Sequence, residues 1–521
     1  MDGGDRQARM AQRIKIQIRA SSTQNHRITQ GIQIGVFSSD ERHGHPPQNL
    51  QLLDAAIEPS PILNQADDIS SVSKSDDTEQ FLESLYLDTV FPFLFPAYKP
   101  TLLSGGRSWL PGLLKSNKAF FHSAMGVAAH YFTLILARDA GHTIRTPCEQ
   151  HVWDSLAKHI NLSTVYIKQD IAVFNSGSPG DGVDDIFRKL AALQSISGML
   201  IFETVMSKGT DWQVHLNAAL TILGDIFQYE MTPSETRYSL NKVLVGFQNQ
   251  PSFFDGIELG FPVWNTDQAS FRFFSAFLFY TDILTGVSFG ETPQLRHLHK
   301  DLINKTSKRD PDTNQDPQFL DLEQYIGCPG WILLCISEIS MWERRLEQSV
   351  GHENHFGALN EWAVRLEELN QNFLHQFLDS GSPHNSDIGN RATAKIQLIT
   401  RVWMHAAQIY LSVMDSSWHQ LFTVAASNVE SVLTIIKSLE PQKWLRSIIW
   451  PVLISGCAAG SEVQREYFRE FIVSLGPFQR FGTFGEALHL MERVWRLHDQ
   501  GAYISRLEDI FIIDRRRYLI I

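Results

Sequence analysis

Two long segments near the end of this chain differ in how their hydrophobic residues are arranged. Residues 446–460 carry a single formal charge, that of Arg446, and contain a Trp-Pro step. This pattern predicts a helix that is buried on most sides and kinked by its proline. Residues 484–496 are amphipathic instead, with one apolar face at helical spacing that is formed by Phe484, Ala487, Leu488, Met491 and Trp495. Both patterns indicate helices that pack against other helices.

Helical spacing of apolar residues also extends through most of the preceding sequence. It predicts helices over residues 78–91, 117–138, 149–175, 186–208, 211–223, 268–280, 331–346, 359–373, 391–414 and 418–439. Polar or glycine-rich loops separate them at 176–182, 305–318 and 380–386, and 231–263 is predicted to be loop with short helices. Alternating strands with hairpin turns are hard to find, and no fixed repeat of about 30 to 45 residues is present. We therefore predict an all-α fold, a large irregular bundle of packed helical hairpins.

The segment 268–280 is strongly aromatic. Its aromatic side chains, among them Phe273, Phe274 and Phe277, occupy more than one face of the predicted helix. A helix that is apolar on several faces is buried on several sides. We expect this helix to lie in the middle of the core.

Residues 1–77 differ from the rest of the chain in composition. They are rich in Gln, Ser, Asp, Asn and Arg and contain few aromatic residues, so they cannot bury enough apolar area to offset chain entropy. We predict a disordered N-terminal arm, followed by a first helix that begins at Thr78 behind the capping residues Asp76 and Asp77. The arm holds a basic cluster, either a nuclear-import or phosphate-contacting patch or a chance group of charges on a solvated tail, formed by Arg6, Arg9, Arg13, Lys15 and Arg19.

Composition and charge narrow the classes of function. The formal net charge of −12 argues against a broad nucleic-acid-binding surface, which needs clustered Lys and Arg. The four cysteines include no close pair, so no disulfide framework is expected. The polar start of the chain lacks the apolar region of a signal peptide. Residues 119–137 approach membrane-spanning length without a formal charge, but their histidine, serine and glycine residues argue against a lipid-facing helix, and we predict no membrane contact.

Motifs for catalysis and for cofactor or metal binding are missing from the sequence. Neither a glycine-rich phosphate loop nor a Gly-x-Ser-x-Gly elbow is present. His352 and His355 are three residues apart rather than the four of a zincin helix, and the glycines beside them indicate a loop. Histidine pairs at 43 and 45 and at 297 and 299 are weaker candidates. We predict no catalytic, cofactor-binding or metal-binding residues.

Several short motifs follow one another between residues 78 and 498. They are Phe91-Pro-Phe-Leu-Phe-Pro-Ala-Tyr98 with Gly105-Gly-Arg-Ser-Trp109, Trp212-Gln-Val-His-Leu216, Arg272-Phe-Phe-Ser-Ala-Phe277, Gly327-Cys328 with Trp331, His405-Ala-Ala-Gln-Ile-Tyr-Leu411, and Trp450-Pro with Gly456-Cys457. Together they resemble the helical regulatory domain of fungal binuclear zinc cluster transcription factors, of the type found in acriflavine-sensitivity control proteins. No single motif is highly specific, and the indication of the family comes from their shared order.

The resemblance implies an all-helical fungal transcription factor regulatory domain over 78–498, between the arm of 1–77 and a divergent C-terminal tail of 499–521. It implies a nuclear transcriptional regulator of a secondary-metabolism or drug-response gene set. Its helical domain would mediate homo- or heterodimerisation, work with other transcription components and respond to a small apolar effector.

The zinc cluster of that family needs six closely spaced cysteines, and this chain has four in all. Direct DNA binding is therefore not expected from this chain, and no cofactor is predicted. Two explanations stay open. The chain is either a regulator that acts through a partner's zinc cluster or a sequence that lacks its first exon.

Two other functions remain open from the sequence alone. One is an all-helical enzyme encoded in a biosynthetic gene cluster, with an apolar pocket lined by the three phenylalanines named above. The other is a scaffold protein that binds no effector. Trp212, His215 and Tyr410 could contact a ligand, but core packing or a buried polar cap is the favoured interpretation of these residues.

Overall fold

A computed structural model describes residues 69–100, 106–139, 146–176, 183–206, 212–231, 236–248, 264–303, 319–349, 390–439, 441–501, 507–513 and 516–521, with the single residues 357, 364, 368 and 371. The N-terminal arm up to residue 68 lies outside the described residues. The predicted loops 305–318 and 380–386 lie outside them too, as do the apolar residues at helical spacing between 359 and 373.

Helices make up the first half of the described chain. In order they are α1 (Ile69–Leu85), α2 (Phe91–Leu94), α3 (Trp109–Ser116), α4 (Lys118–Asp139), α5 (Pro147–Ser176), α6 (Val183–Met206), α7 (Trp212–Tyr229), α8 (Leu240–Gly246) and α9 (Thr266–Ser288). A π-helical turn, Tyr86–Val90, joins α1 to α2. The short helix α8 lies within the stretch that the sequence predicts to be loop with short helices.

The second half is built in the same way. It contains α10 (Arg296–Leu302), α11 (Leu322–Tyr325), α12 (Gly330–Ser349), α13 (Asn390–Val424), α14 (Ala426–Ser438), α15 (Pro441–Cys457), α16 (Glu462–Val473), α17 (Phe484–Asp499) and α18 (Glu508–Phe511). A 3-10 turn, Gly476–Arg480, precedes α17. The strands β1 (Ile512–Ile513) and β2 (Arg516–Arg517) form a short antiparallel pair. The all-α prediction is confirmed.

Helix boundaries agree with the sequence predictions to within three residues for α4, α5, α6 and α12. The helices α7 and α9 extend beyond the predicted 223 and 280, to Tyr229 and Ser288, and two further boundaries are wrong. The predicted start of the first helix at Thr78 is wrong, because α1 begins at Ile69. Residues 69–77 contain neither glycine nor proline, so no backbone constraint ends a helix there. The predicted break between Met414 and Trp418 is also wrong, because α13 continues to Val424. The intervening Asp-Ser-Ser lowers helix propensity only slightly.

The strongly aromatic helix α9 lies in the middle of the core, as predicted. Between Gln268 and Ser288 every residue except Thr285 is buried. It packs against α3, α6, α7 and α12. A capping box fixes its start: the Asn265 side chain accepts from the Gln268 backbone N–H, and the Gln268 side chain accepts from the Asn265 N–H.

Neighbouring helices pack as irregular hairpins around α9. α4 pairs with α5, α6 with α7, and α13 with α14. α15 packs against both α13 and α17, which places the proline-containing helix between two others. Pro451 lies inside α15, as the sequence predicts.

α4 is the one described helix that is long and apolar enough to cross a membrane, over Lys118–Leu136. In the fold 72% of that stretch is buried, with α5 and α6 packed against the helix. A hydroxyl pair, Ser123 Oγ and Ser163 Oγ at 2.6 Å, links α4 to α5. These features are those of a core helix in a helical bundle.

The C-terminal residues contribute to the same core. Phe511, Leu519 and Ile521 are buried. The ring of Phe511 meets that of Phe289, the residue after α9, edge to face with centroids 6.3 Å apart. Residues 499–521, set apart above as a divergent tail, thus help to cover one end of the central helix.

Candidate functional site

The least expected polar group of the core is the guanidinium of Arg446, in the second turn of α15. Arg446 is only 8% exposed. Its Nη2 donates a long hydrogen bond of 3.4 Å to Thr204 Oγ1 of α6, and its Nη1 has no hydrogen-bond partner. Among the described residues no carboxylate forms an ion pair with it. Burial lowers the pKa of Arg446 to about 10, partly offset by Tyr280 of α9, so the side chain stays positively charged at pH 7.

Two glycines with left-handed backbones border this turn of α15. Gly482 has a φ of +90°, and a Cβ built on it would lie 2.5 Å from Arg446 Nη1. Its backbone N–H donates to the Val205 carbonyl at 2.7 Å, which fixes the loop against α6. Gly327 has a φ of +89°, and its Cβ would lie 3.1 Å from Ser447 Oγ. Any other residue would be strained at these positions and would crowd the polar side chains.

Two more polar atoms of the same turn also lack hydrogen-bond partners. They are the Ser447 Oγ and the Trp450 Nε1. Positions 446, 447 and 450 fall within about 100° of one another around a helix, so they share one face. The Trp450 ring stacks on Trp403 of α13, with centroids 5.6 Å apart and planes at 8°. We name Arg446, Ser447 and Trp450 the Arg446 cluster.

The Arg446 cluster is rich in hydrogen-bond donors, of which Arg446 Nη1, Ser447 Oγ and Trp450 Nε1 have no acceptor. A guanidinium and an indole nitrogen can only donate, and a hydroxyl can do either. An isolated buried charge is costly unless a counter-charge or hydrogen bonds compensate it. What these three atoms lack is a hydrogen-bond acceptor.

Nucleophilic catalysis has no support in the groups around the cluster. Burial raises the pKa of the Cys328 thiol well above its ordinary value. Burial also raises the pKa of the Tyr280 hydroxyl, with Cys328 adding to the shift. Both groups are therefore protonated at pH 7, and a thiol or phenol in that form is a weak nucleophile.

A second buried polar pair links α4 to α5. The Nδ1 atoms of His122 and His159 lie 2.9 Å apart, so one ring donates and the other accepts. His122 stacks on Tyr166 with ring planes at 9°. Burial lowers the pKa of both rings, that of His159 to about 4. This pair is neutral at pH 7.

The three residues weighed above as ligand contacts each have a partner in the core. The Trp212 ring stacks on Phe289 at 5.7 Å. His215 Nδ1 lies 2.8 Å from Glu203 Oε2. The Tyr410 hydroxyl donates to Glu343 Oε2 at 2.8 Å. The contacts of Trp212 and Tyr410 are those expected of packed core residues, while the His215–Glu203 pair is only partly buried.

The three phenylalanines weighed above as a pocket lining are packed against other rings. The Phe273 centroid lies 4.8 Å from Phe95 and 5.1 Å from Trp109. Phe274 meets Phe120 and Phe277 meets Phe95, both edge to face. Aromatic side chains thus fill the surroundings of this part of α9.

The histidine pairs give no metal-ligand set in the part of the chain that the structure describes. The pairs at 43 and 45 and at 352 and 355 lie outside that part, but Gly357, which the sequence places in a loop, is helical. His299 Nε2 lies 3.4 Å from Asp282 Oδ2, and burial lowers the pKa of His297. No three His, Cys, Asp or Glu side chains come together there as a metal ion would require.

The sequence holds one signal for the Arg446 cluster that the residue patterns left unused. Arg446 is the single charge in an otherwise apolar segment. A charge in such a place is either paired, at the surface or functional. Which of these applies depends on Thr204, Gly482 and Tyr280, which approach Arg446 only in the fold.

Comparison with known proteins gives a consistent result. The profile of the fungal specific transcription factor domain matches residues 80–518. A transcription factor of Pestalotiopsis microspora, dibT, is 32% identical over 438 residues, which cover 80% of this chain and 66% of that relative. The chain therefore spans about two thirds of that relative's length.

Two more distant relatives have names of the same kind. The pestheic acid cluster transcriptional regulator 3 of Pestalotiopsis fici is 22% identical, over 91% of this chain and 80% of its own length. A trichothecene biosynthesis transcription regulator of Trichoderma arundinaceum is 21% identical, over 81% of this chain and 91% of its own length. No solved structure shows a significant match to the chain.

Proposed function

Because the chain belongs to the family of fungal-specific transcription factor domains, we propose that it regulates transcription of a gene set for secondary metabolism. The observation that carries this proposal is the family match over residues 80–518, which takes in nearly the whole helical bundle. The names of the relatives support the choice of gene set, because one refers to a pestheic acid cluster and another to trichothecene biosynthesis.

The helical bundle acts as a regulatory domain, without catalysis of its own. It dimerises, with a second copy or with a related regulator, and it changes state when an effector binds. Sequence-specific contact with DNA comes from a zinc cluster of the kind found in this family, which the four cysteines within these 521 residues cannot build. That cluster belongs either to a partner or to a first exon that this sequence lacks, and the regulator works in the nucleus.

Transcript sequencing tests the proposed function. A strain that lacks the gene is compared with the parent strain and with a strain in which the gene is restored. We expect transcripts of a set of neighbouring biosynthetic genes to change several-fold in the mutant and to recover on restoration. An unchanged set of transcripts would refute the proposal.

Localisation and DNA binding are tested separately. A fluorescent fusion expressed from the native promoter should accumulate in the nucleus. Immunoprecipitation of cross-linked chromatin should recover promoters of the affected genes. In a gel mobility assay, the purified chain alone should not bind the same promoter DNA. If the purified chain binds this DNA by itself, DNA binding needs no partner, and the proposed regulatory role is unaffected.

A further inference from the structure

The helix α1 packs on the bundle mainly through surface contacts. Among residues 78–85, Leu82 alone is buried, at 2% exposure, while the Phe81 side chain is 47% exposed. The ring of Phe81 meets that of Phe132 on α4 edge to face, with centroids 5.1 Å apart. Burial of an apolar face is what stabilises a helix in a bundle. One buried leucine and one half-exposed ring supply little of it.

The polar contacts between α1 and α5 lie at the surface as well. Lys158 Nζ donates to Glu79 Oε1 at 2.8 Å, and 45% and 28% of these two side chains are exposed. Thr78 Oγ1 lies 3.2 Å from His151 Nε2, also in an exposed place. Exposed ion pairs and hydrogen bonds add little net stability, because water competes for the same groups. These contacts orient α1 on the bundle but stabilise its docking only weakly.

The chain enters the core at the π-helical turn that follows α1. Tyr86 and Val90, the two ends of this turn, are buried, and so are Phe91 and Leu94 of α2. The Phe91 N–H donates to the Tyr86 carbonyl, five residues back instead of the usual four. Such a turn interrupts the helical hydrogen-bond ladder and is a place where helices bend. The π turn therefore separates a tightly packed segment from a loosely packed helix.

We propose that α1 is a hinged strap, which opens as a unit about the π turn while the rest of the bundle stays folded. Proteins open locally where buried apolar contacts are few. Residues 1–68 precede α1, so its docking onto α4 and α5 sets where they leave the bundle. Opening releases them from that position and uncovers the ring of Phe132. The regulatory role of the strap, which is to control the contacts of residues 1–68, rests on the function proposed above.

Hydrogen exchange of the full chain, measured by mass spectrometry, tests the strap. Backbone amides of residues 80–85 should exchange at least about a hundredfold faster than those of α9. Low concentrations of urea should change their rate little, because the opening of one helix exposes little surface. Peptides that cover residues 86–98 should exchange slowly.

Leu82→Ala separates the stability of the strap from that of the bundle. It should speed the exchange of residues 80–85 by at least about tenfold, because a buried leucine is lost. The Tm should stay nearly unchanged, since the bundle remains folded when α1 is undocked. Gln80→Ala, at an exposed position of the same helix, is the matched control and should change neither value. Glu79→Lys should also speed the exchange, and adding Lys158→Glu should reverse part of that effect.

Two results would overturn the strap. One is exchange of residues 80–85 at the rate of α9 and with the same urea dependence. The other is a loss of several degrees in the Tm of Leu82→Ala, which would mean that α1 unfolds together with the core. A deletion strain with altered transcripts beside a Leu82→Ala strain with normal ones would reject regulation through the strap and keep the proposed function.

Discussion

The indole Nε1 of Trp403 donates a hydrogen bond of 2.9 Å to the backbone carbonyl of Ser447. That carbonyl would normally accept from the backbone N–H four residues later, but residue 451 is a proline and has none. A side chain of α13 thus replaces the donor that α15 lacks. The proline is tolerated inside a buried helix because its partner helix satisfies the carbonyl that it leaves open.

Trp403 and Pro451 should therefore be coupled energetically. Trp403→Phe removes the donor, and we expect it to destabilise the protein by about 2–4 kcal/mol, from a lost hydrogen bond and lost packing. In a Pro451→Ala background the helix can supply its own donor, so the cost of Trp403→Phe should fall by about 1–2 kcal/mol. Urea unfolding of the four proteins measures this difference.

Trp450→Phe is the matched control for this cycle. Trp450 stacks on Trp403, but its Nε1 has no hydrogen-bond partner. Its substitution should cost the same with proline or alanine at position 451. Equal costs of Trp403→Phe in the two backgrounds would contradict the donor replacement.

The contact between α15 and α17 depends on a glycine. A Cβ on Gly456 would overlap the Sδ of Met491, and Trp495 Nε1 donates to the Gly456 carbonyl at 2.8 Å. We expect Gly456→Ala to destabilise the protein by about 1–3 kcal/mol, because the Met491 side chain, and α17 where that side chain has no other room, must shift. Thermal or urea unfolding provides the measurement.

Adding Met491→Ala should recover part of the stability lost in Gly456→Ala, although Met491→Ala alone is destabilising. Gly357→Ala is the control, because no atom lies within 4 Å of its Cβ and alanine favours a helix. That variant should be neutral or stabilising. A Gly456→Ala protein as stable as the wild type would show that the two helices are loosely packed.

We expect Gly482→Ala to lower the free energy of unfolding for two reasons that can be measured separately. The φ of +90° is unfavourable for alanine, at a cost of about 1 kcal/mol or more, and its Cβ would press on Arg446 Nη1. In an Arg446→Met background only the backbone cost should remain. The free energies of unfolding of the two single variants and the double variant give the cost of the contact between the new Cβ and Arg446. If the two single costs simply add, the Arg446 guanidinium does not lie against residue 482.

Stability should fall in mild acid because of the histidine pair between α4 and α5. The folded protein binds a proton at His159 more weakly than the unfolded chain does, since burial lowers its pKa to about 4. Stability is therefore complete above the ordinary histidine pKa of about 6.5 and decreases as the pH falls towards 4. The full loss from this group is about 3 kcal/mol.

His159→Gln removes the titrating group, so it should flatten the pH dependence of the unfolding free energy between pH 7 and 5. His489→Gln, at an exposed position on α17, should leave the slope unchanged. Urea midpoints at several pH values give both slopes. If the free energy of unfolding of His159→Gln still falls steeply between pH 7 and 5, other groups cause the pH dependence.

The parts of the fold that follow local rules could be predicted from the sequence, and those that depend on distant partners could not. The aromatic residues of 268–280 covered several faces, which predicted the central position of α9. The start of α16 also had a local signal that went unused, a capping box in which the Ser461 side chain accepts from the Gln464 N–H. The end of α13 at Val424 had no such signal, because residues 415–428 contain neither glycine nor proline.

The Arg446 cluster belongs to the second kind. Its significance comes from the missing acceptor for Nη1 and from the close approach of Gly482, and the chain brings these groups together over more than two hundred residues between Thr204 and Arg446. Pattern and propensity describe neighbours along the chain. They carry no information about which polar groups end up without a partner after packing.

The burial of α9 on nearly every side has a practical consequence for dissecting this regulator. Fragments that separate residues 266–288 from either flank would present an aromatic rod to water, and they should aggregate when expressed alone. Fragments cut at such points would score as inactive in two-hybrid or reporter assays, whatever the severed piece does in the intact protein. Interaction mapping should instead use point substitutions on the outer surface of the intact bundle.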